Sequence, residues 1–186
     1  MPDGDRPWKV LRSEIVIDTP HLRLRRDRIQ TPRGDIVDNY HVRESLGFVV
    51  VFALTPQNEV VLVRQYKHGI GTIVLELPAG AIDRDESPLE AASREFTEET
   101  GYAPRGTLEL VRTFITDPTN SNGRFSLFFA REAIPSGRQE FDATEDITVE
   151  LVPLDRLLEL VHNGAIDVAA HVASIYTMLD RLGIVG

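Results

Sequence analysis

Glu95, Glu98 and Glu99 stand close together in the sequence. At about 100° per residue, an α-helix would place the three side chains in one wedge roughly 100° wide. Like charges at these spacings each destabilise an isolated helix by about 0.2–0.5 kcal/mol, and Arg94 alone cannot neutralise them. Clustered carboxylates suit a hard divalent ion, Mg²⁺ or Mn²⁺, which also accepts waters and a substrate phosphate. The spacing predicts a metal site; a solvated acidic helix face is the plain alternative.

A helix with well-marked ends should carry these glutamates. Ser87 is a favoured N-cap, and Pro88 suits the first helical position because its missing N–H would have had no partner there. Glu90 follows the cap by three residues, as in a capping box. Gly101 tolerates the left-handed conformation that commonly ends a helix. We therefore predict a helix that begins after Ser87 and ends at Gly101.

The residues around this helix follow a fixed spacing. A glycine is followed after five residues by a glutamate, and after seven more by Arg-Glu. An apolar residue, any residue, Glu-Glu, any residue, a glycine and a bulky apolar residue complete the pattern. These positions are filled by Gly80, Glu86, Arg94, Glu95, Phe96, Glu98, Glu99, Gly101 and Tyr102. The pattern resembles the Nudix box without a departure, so the chain resembles the Nudix hydrolases.

This resemblance implies a role for each box carboxylate at a metal site. Glu95 and Glu99 are expected to be direct metal ligands. Glu98 is expected to bind a further ion or to bridge two ions, and to take part in catalysis. The backbone carbonyl of Ala79 would complete a site. Glu86 belongs to the same metal site, where it is expected to hold metal-bound water or to orient Arg94.

The resemblance also implies a general base on the loop after the box helix. Glu145 is the matching position, and Asp146 and the box glutamates Glu98 and Glu86 are the alternatives. Arg94 is expected to support the catalytic carboxylates, with a plain surface ion pair as its structural alternative.

Two further motifs extend the resemblance beyond the box. Arg64-Gln65-Tyr66-Lys67, followed by Glu76-Leu77-Pro78-Ala79-Gly80, is typical of the branch that hydrolyses ADP-ribose and related nucleoside diphosphate sugars. Arg64 could bind a phosphate through its planar fork, or it could be a salt-bridge partner at a strand end. Glu76 is expected to pair with such an arginine or to touch the substrate.

Segment 116–124 departs from that branch. Many members carry a Ser-Pro-Gly turn and then an acidic residue where this chain reads Thr-Asp-Pro-Thr-Asn-Ser-Asn-Gly-Arg, and only Pro118 matches. The segment is rich in turn formers, which fits either an exposed hairpin tip or a substrate-facing loop. The family places this loop on the substrate side. The departure therefore bears on whether ADP-ribose itself is the substrate. Arg124 is expected to compensate as a phosphate or ribose contact.

The order of elements is strands, helix, strands and then helices. It predicts an α/β fold with a mixed sheet between helices, the α/β/α sandwich of the Nudix hydrolases, preceded by an N-terminal antiparallel strand region. We expect residues 1–45 to form that region and residues 46–186 the Nudix domain. Strands with so few apolar residues are poorly stable alone, and the resemblance implies that they form a homodimer. Trp8 would stack a base there or hold the chain end down.

Composition limits the classes of partner and chemistry that fit this protein. The net charge of −9 argues against nucleic acid, whose binding depends on Lys and Arg. No run approaches the roughly 20 apolar residues of a membrane helix, and the start lacks a signal-peptide core, so a cytoplasmic location is expected. The absence of cysteine excludes disulfides and thiol catalysis. The five histidines lack metal-ligand spacing and are expected to be structural or exposed.

The sequence thus predicts Mg²⁺-dependent hydrolysis of the diphosphate bond of a nucleoside diphosphate sugar, ADP-ribose first. The alternatives within the same chemistry are GDP-mannose, another nucleotide sugar or a dinucleotide such as NADH. The alternative of another class is a sensor that binds such a ligand without splitting it.

Overall fold

The computed structural model describes residues 6–137, 139–140 and 146–185, which divide into two compact units. The first unit runs to Leu46 and also includes Ile115–Arg124. The second comprises Gly47–Phe114 and the chain from Phe125 onward. Within the described ranges, no helix is long and apolar enough to cross a membrane.

The first unit is built on an antiparallel sheet of three strands in the order β1-β2-β3, with bounds Lys9–Asp18, Arg23–Gln30 and Ile36–Glu44. Ionic contacts link these strands. Arg25 donates to Asp27 at 3.0 Å and to Glu44 at 2.7 Å, and the hydroxyl of Ser13 donates to the buried Asp27 at 2.6 Å. Such contacts offset the small number of apolar residues that this sheet buries.

Segment 115–124 lies along β3 in this unit. The Arg43 N–H donates to the Asn120 carbonyl at 2.8 Å, and the Tyr40 hydroxyl donates to the Thr119 carbonyl at 2.5 Å. The segment is therefore held by main-chain and side-chain bonds. A substrate-facing role for it stays a prediction.

The second unit contains the remaining strands and all three α-helices of the described chain. Its strands are β4 Phe48–Ala53, β5 Glu59–Lys67, β6 Thr72–Glu76, β7 Ala79–Ala81, β8 Tyr102–Pro104, β9 Glu109–Ile115, β10 Arg124–Ala130, β11 Ala133–Pro135 and β12 Ile147–Pro153. Its helices are α1 Pro88–Thr100, a 3₁₀ turn Leu154–Arg156, α2 Leu157–His162 and α3 Ala169–Arg181.

These strands form a four-stranded sheet, β7-β4-β10-β9, a three-stranded sheet, β12-β5-β6, and the pair β11-β8. β4 and β10 run parallel, whereas β7 pairs with β4 in the antiparallel sense. The predicted mixed sheet is therefore present.

The buried strand β4 separates two apolar clusters because alternate side chains point to opposite faces. Val50 and Phe52 belong to the cluster that contains Ile175 of α3. Val49 and Val51 belong to the cluster that contains Phe96 of α1. Helices thus cover both faces of the sheet, and the predicted α/β/α arrangement is confirmed.

Candidate active site

Helix α1 has the ends that the sequence predicts. The Ser87 hydroxyl accepts from the Glu90 N–H at 3.3 Å, and the Glu90 carboxylate accepts from the Ser87 N–H at 2.8 Å, which completes the capping box. Gly101 has φ 69°, and its N–H donates to the Thr97 carbonyl at 2.8 Å. These caps set where the glutamates of the last turns lie.

Glu99 connects helix α1 to strand β7, the strand in which the box begins. Its side chain is only 2% exposed, and its carboxylate accepts the Ala79 N–H at 2.9 Å. Pro78 lies between β6 and β7, so the backbone leaves one sheet at Glu76 and joins another at Ala79. The main chain of the predicted ligand Ala79 is therefore held directly against a predicted metal-binding carboxylate.

Gly80 lets the Glu95 carboxylate approach the backbone. A β-carbon at position 80 would lie 1.9 Å from Cδ of Glu95 and 2.1 and 2.2 Å from its two oxygens. A side chain at position 80 would require the Glu95 carboxylate to move, so the absence of a β-carbon permits this arrangement. The carboxylate occupies a cradle that any other residue would fill.

Arg94 gathers three of the box carboxylates. Its Nε and Nη2 donate to the two oxygens of Glu86 at 2.8 and 2.9 Å, a bidentate contact. Its Nη1 donates to Glu95 at 2.9 Å and to Glu98 at 3.1 Å, and Nη2 also donates to the Ala81 carbonyl at 3.2 Å. The guanidinium thus orients carboxylates and touches the backbone of β7.

The same contacts shift the ionisation of this group. The hydrogen bond from Arg94 lowers the pKa of Glu86, although burial opposes the shift. Hydrogen bonding to Glu86 raises the pKa of Arg94, again against burial, and the contacts with Glu95 and Glu98 add to it. The cluster holds four carboxyl groups, those of Glu86, Glu95, Glu98 and Glu99, and one guanidinium, so its formal charge has a negative excess.

This negative excess bears on the predicted divalent ion. Within the described ranges, no group of three or more histidine, aspartate or glutamate side chains forms a ready metal site. Oxygens of Glu86, Glu95 and Glu98 are instead directed at Arg94. The donor set nevertheless consists of oxygen alone and is strongly acidic, and Gly80 leaves space for the Glu95 carboxylate, so the residues fit Mg²⁺ or Mn²⁺ in their chemistry.

An open cavity of about 550 Å³ adjoins the cluster. Glu86, Arg94 and Glu98 line it from the box, and Glu140 lines it from the segment after β11. Our reading of the sequence did not single out Glu140, whose only local signal is an acidic, polar loop. Glu145, the predicted general base, lies outside the described residues, and Asp146 is exposed just before β12.

The three predicted substrate-binding residues lie on different strands. Arg64 on β5 forms a bidentate ion pair with Glu150 on β12, and this contact raises its pKa. The arrangement is the salt bridge that the sequence left open as an alternative to phosphate binding. Arg124 is exposed at the start of β10. Contact with substrate stays a prediction for both arginines.

Glu76 lies inside the second unit, 2% exposed, and does not pair with Arg64. Its carboxylate accepts from Gln65 at 2.9 Å, from Lys67 at 2.9 Å and from Nε2 of His171 at 3.0 Å. His171 is thus a structural histidine on α3, as the sequence suggested for this residue type. In the first unit, Trp8 packs edge-on against Tyr40 at 5.7 Å.

Two known protein families match most of the chain. A family described as "NUDIX domain" matches residues 45–172. One described as "Nucleoside diphosphate sugar hydrolase N-terminal domain" matches residues 8–42. The two matches abut close to residue 45, and the expected boundary between residues 45 and 46 stays a prediction.

Individual proteins are similar over most of their length. The "ADP-ribose pyrophosphatase" of Bacillus subtilis is 28% identical over 156 residues, which is 83% of each chain. The protein of that description from Mycobacterium tuberculosis is 30% identical over 165 residues, 88% of this chain and 79% of its own. A solved structure, "Crystal structure of ADP compounds hydrolase", superposes with a TM-score of 0.82 and 21% identity over 97% of this chain and 98% of that one, which shows a shared fold.

Proposed function

The chain belongs to the Nudix family of hydrolases, and from that membership we propose that it splits the diphosphate bond of a nucleoside diphosphate sugar with the help of Mg²⁺ or Mn²⁺. ADP-ribose is the first candidate. Water would attack one phosphorus, the P–O–P bridge would break, and AMP and ribose 5-phosphate would leave.

One observation carries the proposal: the Glu95 carboxylate lies in the cradle at Gly80, joined to Glu86 and Glu98 through Arg94. A purely structural helix face has no need of a glycine whose missing side chain leaves space for a carboxylate. Such convergence of negative charge is expected where a divalent cation and a diphosphate bind together.

Separate residues would bind the metal and accept the proton. Glu95, Glu98 and Glu99, with the Ala79 carbonyl, would hold the divalent ion, and Glu86 would hold water or keep Arg94 in place. The ion supplies charge neutralisation on the diphosphate oxygens. A carboxylate of the loop before β12, Glu145 first, would accept the proton of the attacking water, with Asp146, Glu98 and Glu86 as alternatives.

ADP-ribose is favoured by the printed descriptions of two relatives and by the match of the N-terminal region to nucleoside diphosphate sugar hydrolases. The unusual segment 116–124 keeps GDP-mannose, other nucleotide sugars and dinucleotides as competing substrates. A sensor that binds without hydrolysis is disfavoured because every fixed position of the box is filled.

A panel of nucleotide sugars and dinucleotides, each with Mg²⁺ and with EDTA, tests this function. We expect metal-dependent release of AMP from ADP-ribose, measured by ion-exchange chromatography. Glu99→Gln keeps an acceptor for the Ala79 N–H but loses the charge, so turnover should fall at least about 100-fold with little change in thermal unfolding. Glu132→Gln, at an exposed surface pair, is the matched control.

The outcomes separate the alternatives. Faster turnover of another panel member would replace ADP-ribose as the substrate. Binding of a panel member without turnover would indicate a sensor, and unchanged activity of Glu99→Gln would contradict the metal assignment.

We also propose that the first unit mediates a homodimer, in a cytoplasmic protein. Apolar side chains are exposed along the whole of β1, at Val10, Leu11, Ile15, Val16 and Ile17. Exposed apolar strands of this length commonly mark an interaction surface. Light scattering should give twice the chain mass of 20.8 kDa for the wild type and a lower mass for Val10→Asp; a monomeric wild type would contradict the proposal.

A further inference from the structure

The last turn of α1 leaves main-chain carbonyls that no helical N–H can reach. The segment after β11 supplies donors for them. Ser136 and Gly137 donate their N–H groups to the Gly101 carbonyl at 2.8 and 3.3 Å, and the Glu140 N–H donates to the Glu98 carbonyl at 3.0 Å. Ser136, Gly137 and Glu140 therefore lie along the end of the helix that carries the box carboxylates.

Gln139 adds a side-chain contact to this arrangement. Its Nε2 donates to the Glu99 carbonyl at 2.6 Å and makes a longer contact of 3.4 Å with the Ile147 carbonyl. A primary amide has two N–H groups, so one side chain can serve two acceptors. Gln139 thereby connects the end of α1 with the start of β12.

The contacts act at the two helical residues whose side chains matter most. The Glu98 and Glu99 carbonyls receive the bonds, while the side chain of Glu98 lines the cavity and that of Glu99 accepts the Ala79 N–H. Glu140, next to Gln139, lines the same cavity beside Glu86. Loss of the Gln139 amide would leave Glu140 held only by its own N–H bond to the Glu98 carbonyl, and it would leave the Glu99 carbonyl without that donor.

We propose that Gln139 is a positioning residue for the reaction at this site, because its amide holds Glu140 at the cavity and steadies the turn that carries Glu98 and Glu99. The proposal rests on the hydrolase function proposed above. Partners of this kind, one step removed from the reacting groups, typically contribute 10- to 100-fold to metal affinity or activity.

Three variants separate positioning from simple helix capping. Gln139→Met keeps the length of the side chain but donates no hydrogen bond. Gln139→Lys restores donors for both carbonyls. Ser136→Ala is the matched control, since it removes a hydroxyl bond of 3.2 Å to the Gly101 carbonyl at the same helix end and leaves Gln139 untouched.

Two measurements are made on each variant. For Gln139→Met we expect kcat to fall about 10- to 100-fold with KM changed less than about threefold, and Gln139→Lys should recover at least part of kcat. By NMR, amide hydrogen exchange at Glu140 should accelerate at least about tenfold in Gln139→Met and stay at the wild-type rate in Ser136→Ala.

The results that would overturn the proposal are distinct. Wild-type kcat or wild-type exchange at Glu140 in Gln139→Met would refute it. An equal loss of kcat in Gln139→Met and Ser136→Ala would assign the effect to capping alone. If the wild type splits no member of the panel, the hydrolase proposal fails, and the role of Gln139 in the reaction fails with it; the exchange rates would still report whether the amide holds Glu140.

Discussion

The carboxylate carbon of Glu95 lies 1.9 Å from the point that a β-carbon on Gly80 would occupy. The Glu95 carboxylate of helix α1 therefore occupies the space that a side chain at position 80 of strand β7 would take. This contact places a predicted metal ligand next to the backbone of another, Ala79.

Gly80→Ala tests this contact. The added methyl group must displace the Glu95 carboxylate, and a misplacement of about 1 Å at a reacting site can cost about 100-fold in rate. We expect kcat to fall by that order. The free energy of unfolding should change by less than about 1 kcal/mol, because the displaced group is the end of a flexible side chain. Steady-state kinetics and urea unfolding measure the two effects.

Gly69→Ala is the control for that experiment, because a β-carbon there meets no atom within 4 Å. It should leave both kcat and stability close to those of the wild type. Full activity of Gly80→Ala would show that the position of the Glu95 carboxylate is not needed.

Arg94→Lys tests the guanidinium group that donates to Glu86, Glu95 and Glu98. Lysine keeps the positive charge but cannot make the bidentate contact with Glu86 while also reaching Glu95 and Glu98. We expect about a 10- to 100-fold loss in Mg²⁺ affinity or kcat, measured by calorimetry and by turnover.

Arg105→Lys changes an exposed pair with Glu132, 3.3 Å apart, and should alter neither quantity because surface pairs contribute about 0–1 kcal/mol. Equal behaviour of the two lysine variants would rule out a specific role for the Arg94 fork.

Local signals accounted for much of the site. The cap Ser87, Pro88 and the terminal Gly101 set the limits of α1, and the box spacing put its carboxylates on one helix because each signal acts within a few residues. The continuous apolar run at 48–53 likewise indicated the buried strand β4.

Contacts between distant residues were not predictable in this way. Periodicity gives the apolar face of α3 but not which side chain of β6 will meet His171. Arg64 meets Glu150 because β5 and β12 pair in one particular register. Glu140 reaches the cavity through bonds between a loop and the end of a helix, and no local pattern specifies those bonds.

Ser87→Ala tests the capping box by itself. Loss of the hydroxyl that accepts the Glu90 N–H should destabilise the protein by about 1 kcal/mol, a decrease of about 2–4 °C in Tm for a chain of this length. Calorimetry measures this shift, and kcat at 25 °C should hold because the helix is still packed through Phe96.

Glu90→Gln retains an acceptor for the Ser87 N–H and serves as the control, with a smaller decrease in Tm expected. A larger decrease in Glu90→Gln than in Ser87→Ala would mean that charge at the helix start, rather than the hydroxyl cap, stabilises α1.

Glu76→Gln tests the buried carboxylate that links β6 to α3. Burial alone would raise the pKa of Glu76, but the hydrogen bond and charge of His171, and then those of Lys67, outweigh it and lower the pKa below its usual value near 4.5. Because the folded state then holds its proton less tightly than the unfolded chain, this carboxylate stabilises the fold fully above about pH 4.5 and progressively less as pH falls through the folded pKa.

We therefore expect Glu76→Gln to lower the free energy of unfolding by about 1–3 kcal/mol at pH 7, because the buried group that accepts from Gln65, Lys67 and His171 loses its charge. The difference between wild type and variant should shrink below about pH 4.5, in urea titrations at several pH values. Glu132→Gln should show no such convergence, since that side chain is exposed. A difference that stays constant between pH 7 and pH 3 would mean that Glu76 is not preferentially ionised in the folded protein.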